Sequence, residues 1–300
     1  MRLLLLAVAG IFGLSAASGC AEAQTAPASN SPAPQTLNVG QDQQQRMTIE
    51  VRIGVRGPFH FLIDTGAQNT VLSDSLASQL GLMPGPQRLV AGVAGIVSAT
   101  TVEVDDIHFG QSSYNGLVVP LLPVGDLGAD GILGIDGLQG RRVLLDFRHG
   151  LMTITNPRDS ARDSDYEIIV TARRRSGQLI VTHATIDGVG TDVVIDTGAD
   201  TTIGNLALQR ALARRNRMMT TRLHSVTGQE ITADLMSGSR LQIDAITLSG
   251  LTIAYADAPA FAALRLDRKP AILLGMNELR AFGRVAIDFA SREVLFDIKS

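Results

Sequence analysis

Tryptophan is absent from the 300 residues, aromatic side chains make up 4%, and Cys20 is the single cysteine. One cysteine excludes an intrachain disulfide whatever the compartment, so the fold rests on packing alone. With so few aromatics, the core has to be built from Val, Ile, Leu and Ala, and the β-branched members of that set favour pleated sheet. Charge of one sign is not in excess either: 26 Lys and Arg against 29 Asp and Glu leave a net charge of −3. That balance gives no basic surface for nucleic acid and no acidic tail. The five histidines (His60, His108, His149, His183, His224) lack metal-ligand spacing, and no cysteine accompanies them, so the reading contains no metal and no cofactor. A Gly-x-Ser-x-Gly nucleophile turn and a phosphate-cradling glycine loop are also missing.

Long apolar runs are confined to the start. Met1-Arg2 is a short positive segment, and Leu3 to Leu14 is apolar but too short to span a bilayer. Residues 1–23 therefore read as a signal peptide, and the protein as exported to the periplasm or cell envelope. Two processing readings stand. Ala21-Glu22-Ala23 is a small-x-small cleavage site that would release a soluble protein, whereas Ala17-Ser18-Gly19-Cys20 resembles a lipobox that would place a lipid anchor on Cys20. Residues 24–45 are Gln, Pro, Ser, Ala and Asn with almost no large apolar side chain, which reads as a flexible tether.

What the chain does have is a copy of itself. Phe61-Leu62-Ile63-Asp64-Thr65-Gly66-Ala67-Gln68-Asn69-Thr70 returns as Val193-Val194-Ile195-Asp196-Thr197-Gly198-Ala199-Asp200-Thr201-Thr202, with offset 196 − 64 = 132. Ile132-Leu133-Gly134-Ile135-Asp136 returns as Leu273-Leu274-Gly275-Met276-Asn277, offset 275 − 134 = 141, and Leu144-Leu145-Asp146-Phe147 as Ala286-Ile287-Asp288-Phe289, offset 288 − 146 = 142. Three landmarks in the same order define two lobes, 46–156 and 166–299, joined by a polar linker over 157–165.

Each half reads mostly as strand. Met47 to Arg56 alternates apolar and polar residues, Gly57-Pro58 is expected to turn the chain, and Phe59 to Ile63 leads into the first Asp loop. Leu179 to Ile186, a turn at Asp187-Gly188 and Asp192 to Ile195 repeat the pattern. Closing hairpins are expected over 143–155 and 285–298. Short helices are expected over Leu72–Leu80, stopped by Gly81, and Leu206–Arg214.

The paired Asp-Thr-Gly loops carry the chemistry. An aspartate at the end of an apolar strand enters a desolvated place. The turn needs Gly66 or Gly198 to bring backbone N–H groups to the carboxylate, and Thr65 and Thr197 supply a short hydroxyl that can tie one loop to the other. Two carboxylates close together share one proton. The ionised one takes a proton from a water, and the protonated one donates to the carbonyl oxygen under attack. Asp64 and Asp196 are therefore the catalytic candidates, with Thr65, Gly66, Thr197 and Gly198 in support.

Each half resembles a subunit of the retropepsin-like aspartic protease family: apolar-apolar-Asp-Thr-Gly-Ala-x-x-Thr, then a flap, then apolar-apolar-Gly. The ending with apolar-Asp-Phe is similar to bacterial exported members. The resemblance implies a mainly β, acid-protease-like closed barrel of two lobes related by a pseudo-two-fold, with the site between them and short helices. It also implies an exported aspartic endopeptidase acting on a peptide or protein substrate as a monomer, both copies lying on one chain. The alternatives are a catalytically silent peptide-binding or scaffold protein of the same fold, or pairing of two chains.

Flaps are expected at Arg88–Val97 with Gly95 at the tip and at Leu223–Glu230 with Gly228 at the tip, since 95 − 64 = 31 and 228 − 196 = 32. They would bind an extended peptide by strand-like hydrogen bonds. Asp146 and Asp288 repeat as faithfully as the catalytic candidates, but their place at hairpin ends suits solvated or turn-bonding carboxylates. Asp200 matches a family Asp that pairs with an Arg. Arg210, Arg214, Arg215, Arg217 and Arg222 suit a solvated helix end. Ala67 and Ala199 stand where pepsin-like enzymes carry Ser. Without that hydroxyl donor the pair should titrate higher, giving a mildly acidic to near-neutral optimum.

Overall fold

Met47–Ile53 is a strand with Ile49, Val51 and Ile53 buried and Glu50 and Arg52 exposed, as its period-two pattern requires. The computed structural model describes residues 4–5, 35–38, 40–41, 47–109, 112–155, 166–175, 177–212 and 219–298. Apart from Leu4–Leu5, the expected signal peptide with Cys20 lies outside them, as do the linker 157–165 and Arg214, Arg215 and Arg217.

The chain is mainly β and forms two sheet-rich lobes built in the same order. In the first, Arg56–Ile63 pairs antiparallel with Met47–Ile53 and parallel with Gly131–Leu133. Gly131–Leu133 flanks Val71–Ser73, which is followed by Leu117–Leu122 and the hairpin Pro84–Gly92/Ile96–Val104. In the second, Val189–Ile195 lies between Gln178–Ile186 and the parallel Ala271–Leu274. Thr202–Gly204, Ile246–Tyr255, Glu230–Ile243 and Met219–His224 then follow in turn. The central strands are covered on both faces, which is why Phe61-Leu62-Ile63 and Val193-Val194-Ile195 are continuous apolar runs rather than alternating ones.

The lobes meet in a shared sheet. Arg142–Asp146 pairs antiparallel with Phe282–Asp288 in a symmetric register, with Leu144 opposite Ala286, Arg142 opposite Asp288 and Asp146 opposite Arg284. Leu151–Thr155 and Glu293–Ile298 extend it on either side. Its outer strands are Gln35–Asn38 and Ile168–Arg175, with Leu37 beside Met152 and Val170 beside Val294, an offset of 170 − 37 = 133. Gly40–Gln41 likewise pairs with the start of Met47–Ile53. The region expected to be a tether thus includes paired strand from Gln35, and the duplicated unit reaches back that far. Joining a sheet edge uses main-chain groups, so the segment needs few apolar side chains and leaves little periodic signal.

Two further details differ from expectation. The first hairpin turns at Gly54-Val55, with Gly54 at φ 57°, and Gly57-Pro58 falls inside the strand Arg56–Ile63 at a register shift. Val55, which the alternation placed inward, is 95% exposed at that turn. Val71–Ser73 is strand, so the first helix begins at Asp74. Ser73 accepts from Leu76 N–H at 3.1 Å, and Gly81 ends the helix at φ 71°. The second-lobe turn is as expected, with Asp187 and Gly188 both at positive φ (49° and 86°) as a two-residue hairpin turn needs.

Candidate active site

The parallel ladder on each side carries its strand one residue into the loop: Asp64 N–H donates to Leu133 O at 3.1 Å and Asp196 N–H to Leu274 O at 3.0 Å. Beyond that point the two loops hold each other. Thr65 Oγ1 donates to Ile195 O at 2.9 Å and accepts from Thr197 N–H at 3.2 Å. Reciprocally, Thr197 Oγ1 donates to Ile63 O at 2.7 Å and accepts from Thr65 N–H at 3.0 Å. Four buried hydrogen bonds therefore cross between copies, and both donor and acceptor capacity of each hydroxyl is used.

Asp64 and Asp196 lie at this junction with side chains almost wholly buried. Asp64 Oδ1 accepts from Gly66 N–H at 2.7 Å and Ala67 N–H at 2.9 Å, and Asp196 Oδ1 accepts from Gly198 N–H at 3.1 Å. A Cβ on Gly198 would collide with the Asp64 carboxyl group, so the opposing loop has to be glycine for the carboxylates to approach. Burial first, and the charge of Asp64 second, hold the Asp196 carboxyl well above the usual aspartate range, despite backbone N–H groups of Gly198 and Ala199 that favour its anion. Burial and the neighbouring carboxylate together oppose ionisation of Asp196 while Asp64 is charged.

A second layer sits behind the loops. Asp136 accepts from the Thr70 hydroxyl at 2.8 Å and from Thr70 N–H at 2.9 Å, and Gly134 N–H donates back to Thr70 Oγ1 at 3.3 Å. The second lobe uses the Thr202 hydroxyl, which donates to Glu278 and accepts from Gly275 N–H at 3.0 Å. Burial raises the carboxyl pKa of both Asp136 and Glu278 against the pull of these hydrogen bonds. Asp136 lay inside a repeated landmark, but its partner function has moved one residue on, to Glu278, which a position-by-position comparison hides. Gln178 also gave no signal: it is buried, comes from the second lobe, and donates through Nε2 to Gly66 O in the first.

Asp146 and Asp288 stand apart from the site as hairpin carboxylates. Asp146 accepts from Arg148 N–H, His149 N–H and the His149 ring; although burial pushes upward, these bonds bring its pKa below the ordinary value. Asp288 accepts from Ala290 and Ser291 N–H at 2.9 and 2.8 Å and pairs with Arg142 Nε at 2.9 Å. It is buried rather than solvated, because Arg142 reaches it across the shared sheet. Arg210 falls in the last turn of the helix Leu206–Leu212.

The two flap candidates are hairpin tips that meet. Gly92 N–H donates to Gly95 O at 2.8 Å across Val93-Ala94, and Gly228, at φ 76°, closes a turn on Ser225 O at 2.9 Å. Gly92 lies against Ser225 and Thr227, and Gly95 against Gln229, so closely that a Cβ on either would collide. Each tip carries one buried valine into the opposite lobe. Val93 packs among second-lobe residues including Ile180, Val194, Ile203 and Leu273. Val226 packs among first-lobe residues including Leu62, Ala67, Val71 and Ile132. The offset 226 − 93 = 133 is one residue more than the 132 of the Asp loops.

Residues 49–140 match the family model described as "gag-polyprotein putative aspartyl protease", and residues 182–277 match the one described as "aspartyl protease". Both lobes match aspartyl protease families. Each match takes in one Asp-Thr-Gly loop, one long hairpin and one Gly landmark, so each matched segment falls within one copy of the repeated landmarks. No curated protein matches the chain. Among the described residues, no group of three or more His, Cys, Asp or Glu converges as a metal cage, and no helix is long and apolar enough to cross a membrane.

Proposed function

We propose that this protein is an exported aspartic endopeptidase of the retropepsin-like type that works as a monomer, hydrolysing peptide bonds with water activated between Asp64 and Asp196. The observation that carries the reading is the reciprocal threonine clamp, which brings two buried carboxylates from one chain to a common junction. Asp64, with two short backbone donors on Oδ1, acts as the base that takes a proton from the attacking water. Asp196, whose carboxyl favours the protonated form, donates to the carbonyl oxygen. No covalent intermediate is needed.

The flaps supply the substrate path. Opening them withdraws Val93 and Val226 from the apolar walls beside the two loops, and the vacated surfaces suit apolar side chains flanking the scissile bond. Export rests on the apolar Leu3–Leu14 segment, and the lipid-anchored form on Cys20.

Casein or a peptide library offered to the wild type, to Asp64→Asn and to Asp196→Asn at several pH values tests this. Cleavage by the wild type alone is expected. Activity surviving in either variant would exclude the paired mechanism, and a wild type inert toward every peptide would favour a binding protein of the same fold.

A further inference from the structure

On the second lobe, the strands Ile168–Arg175 and Gln178–Ile186, together with Lys269, enclose a concavity of about 260 Å³. Arg173, Arg175, Lys269 and His183 face it together with Asp192 and Thr182, over a floor that includes the buried Ile180. Three fixed cations against one carboxylate leave the lining at +2 before His183 is counted. Arg173 and Arg175 share a face because they are two residues apart on one strand. Arg175 is already held in place, its Nη1 donating to Leu264 O at 3.4 Å and Arg265 O at 3.0 Å. Among the described residues, the side chains of Arg173, Lys269 and His183 have no hydrogen-bond or ion-pair partner, so their donors are available to a ligand.

The duplicated fold does not require this cluster. Arg173 pairs with Ile180 where the first lobe has Gly40 opposite Thr48, and Lys269 falls at the position of Gly128 (269 − 141 = 128). The strand Gln178–Ile186 also carries a bulge: between Val181/Val193 and Ala184/Thr191, the two residues Thr182 and His183 oppose Asp192 alone. In the first lobe the same stretch is in regular register, with Glu50 opposite His60. One extra residue has therefore turned His183 toward the concavity, and the place of Glu50 has been taken by residues without negative charge. A bulge of this kind re-aims a side chain. Two glycines and one glutamate correspond to two cations and a histidine, in the second copy only.

We propose that this concavity is a binding site for a phosphoryl-type oxyanion, distinct from the paired aspartates. Two guanidinium groups present planar forks that match phosphate oxygens, Lys269 adds a point charge, and Thr182 and His183 add further hydrogen-bonding groups. The volume accommodates a phosphate with a small attached group. The phosphate belongs either to a soluble phosphorylated compound or to a lipid headgroup.

Titration calorimetry of the full chain with inorganic phosphate, at constant ionic strength set with chloride, tests the site. One saturable event is expected, weakened about tenfold by Arg173→Gln and by Lys269→Gln, as loss of a charge-assisted hydrogen bond predicts. Arg174→Gln removes the same charge from the opposite face, where Arg174 bonds Gln139 Oε1, and should bind like the wild type. Both cluster positions are exposed, so thermal melts of the variants should overlay the wild type. No saturable phosphate binding, or equal weakening by Arg174→Gln, would overturn the proposal. Co-sedimentation with phosphatidylglycerol but not phosphatidylcholine vesicles, lost in Arg173→Gln, would assign the headgroup. Phosphate binding without vesicle binding would assign a soluble ligand.

Discussion

Thr65 and Thr197 do more for the site than their size suggests, since each hydroxyl spans the two copies as donor and acceptor. Thr65→Val keeps the shape but leaves Ile195 O and Thr197 N–H buried without partners. Urea denaturation should show a loss of about 2–4 kcal/mol, and peptide cleavage should fall with it. Thr65→Ser should recover most of both. Asp196 predicts a pH effect of defined sign. Its carboxyl pKa is raised in the fold above the ordinary aspartate value, so the native state binds the extra proton. The stability this contributes is complete below the unfolded value and is lost as pH rises through the folded one. Thermal melts of the wild type should therefore fall with rising pH over that window. Asp196→Asn, which cannot ionise, should flatten that limb and melt higher at neutral pH. A variant that melts lower there, or keeps the wild-type slope, would show that the buried pair is not the source. For activity, the same elevation moves the alkaline limb upward, toward the mildly acidic to near-neutral optimum that Ala67 and Ala199 suggest.

Among the elements, the flap hairpins are the ones whose contacts decide their behaviour. Val93→Ala or Val226→Ala removes two carbons from a fully buried position in the opposite lobe, worth roughly 1.5 kcal/mol. Hydrogen exchange over 84–104 or 219–243 should quicken about tenfold in the corresponding variant. Val55→Ala, at a turn position 95% exposed, should change nothing. The hairpin tips were legible because Gly95 and Gly228 lie 31 and 32 residues beyond the aspartates. The crossing of their tips was not, since a valine at a hairpin tip looks the same in sequence whether it meets water or another lobe. The Asp loops were the most legible part, because buried strands on both sides make their apolar runs continuous. The helix end at Gly81 was legible, but its start was not: Leu72 and Ser73, read as helix, belong to the strand Val71–Ser73, and so short a segment beside a helix has no period of its own. The strand Gln35–Asn38 was missed for a related reason, its place being set by backbone pairing with Leu151–Thr155. Asp136, Glu278 and Gln178 act through partners more than 60 residues away, a relation that local pattern does not encode.

At the scale of the whole molecule, the shared sheet unites the lobes, and a buried ion pair lies within it. Arg142 and Asp288 come from different lobes, 146 residues apart, with side chains 6% and 1% exposed. Arg142→Leu leaves Asp288 buried without its counter-charge and should destabilise the protein by about 3–5 kcal/mol in denaturant unfolding. Replacing both residues with apolar ones should not fully restore stability, because Asp288 also accepts from Ala290 and Ser291 N–H. The equivalent position, Arg284, has turned instead to Asp297 at 2.7 Å, so the two copies have drifted apart even in their common sheet.

Dilution is where that sheet matters most. In a protease assembled from two identical chains, the catalytic carboxylates meet only as often as the chains do, and activity per molecule collapses below the dissociation constant. Here six strands of one chain hold the two halves at a fixed and very high effective concentration. Specific activity should therefore stay level from micromolar to nanomolar protein, each molecule working alone however sparse its copies are.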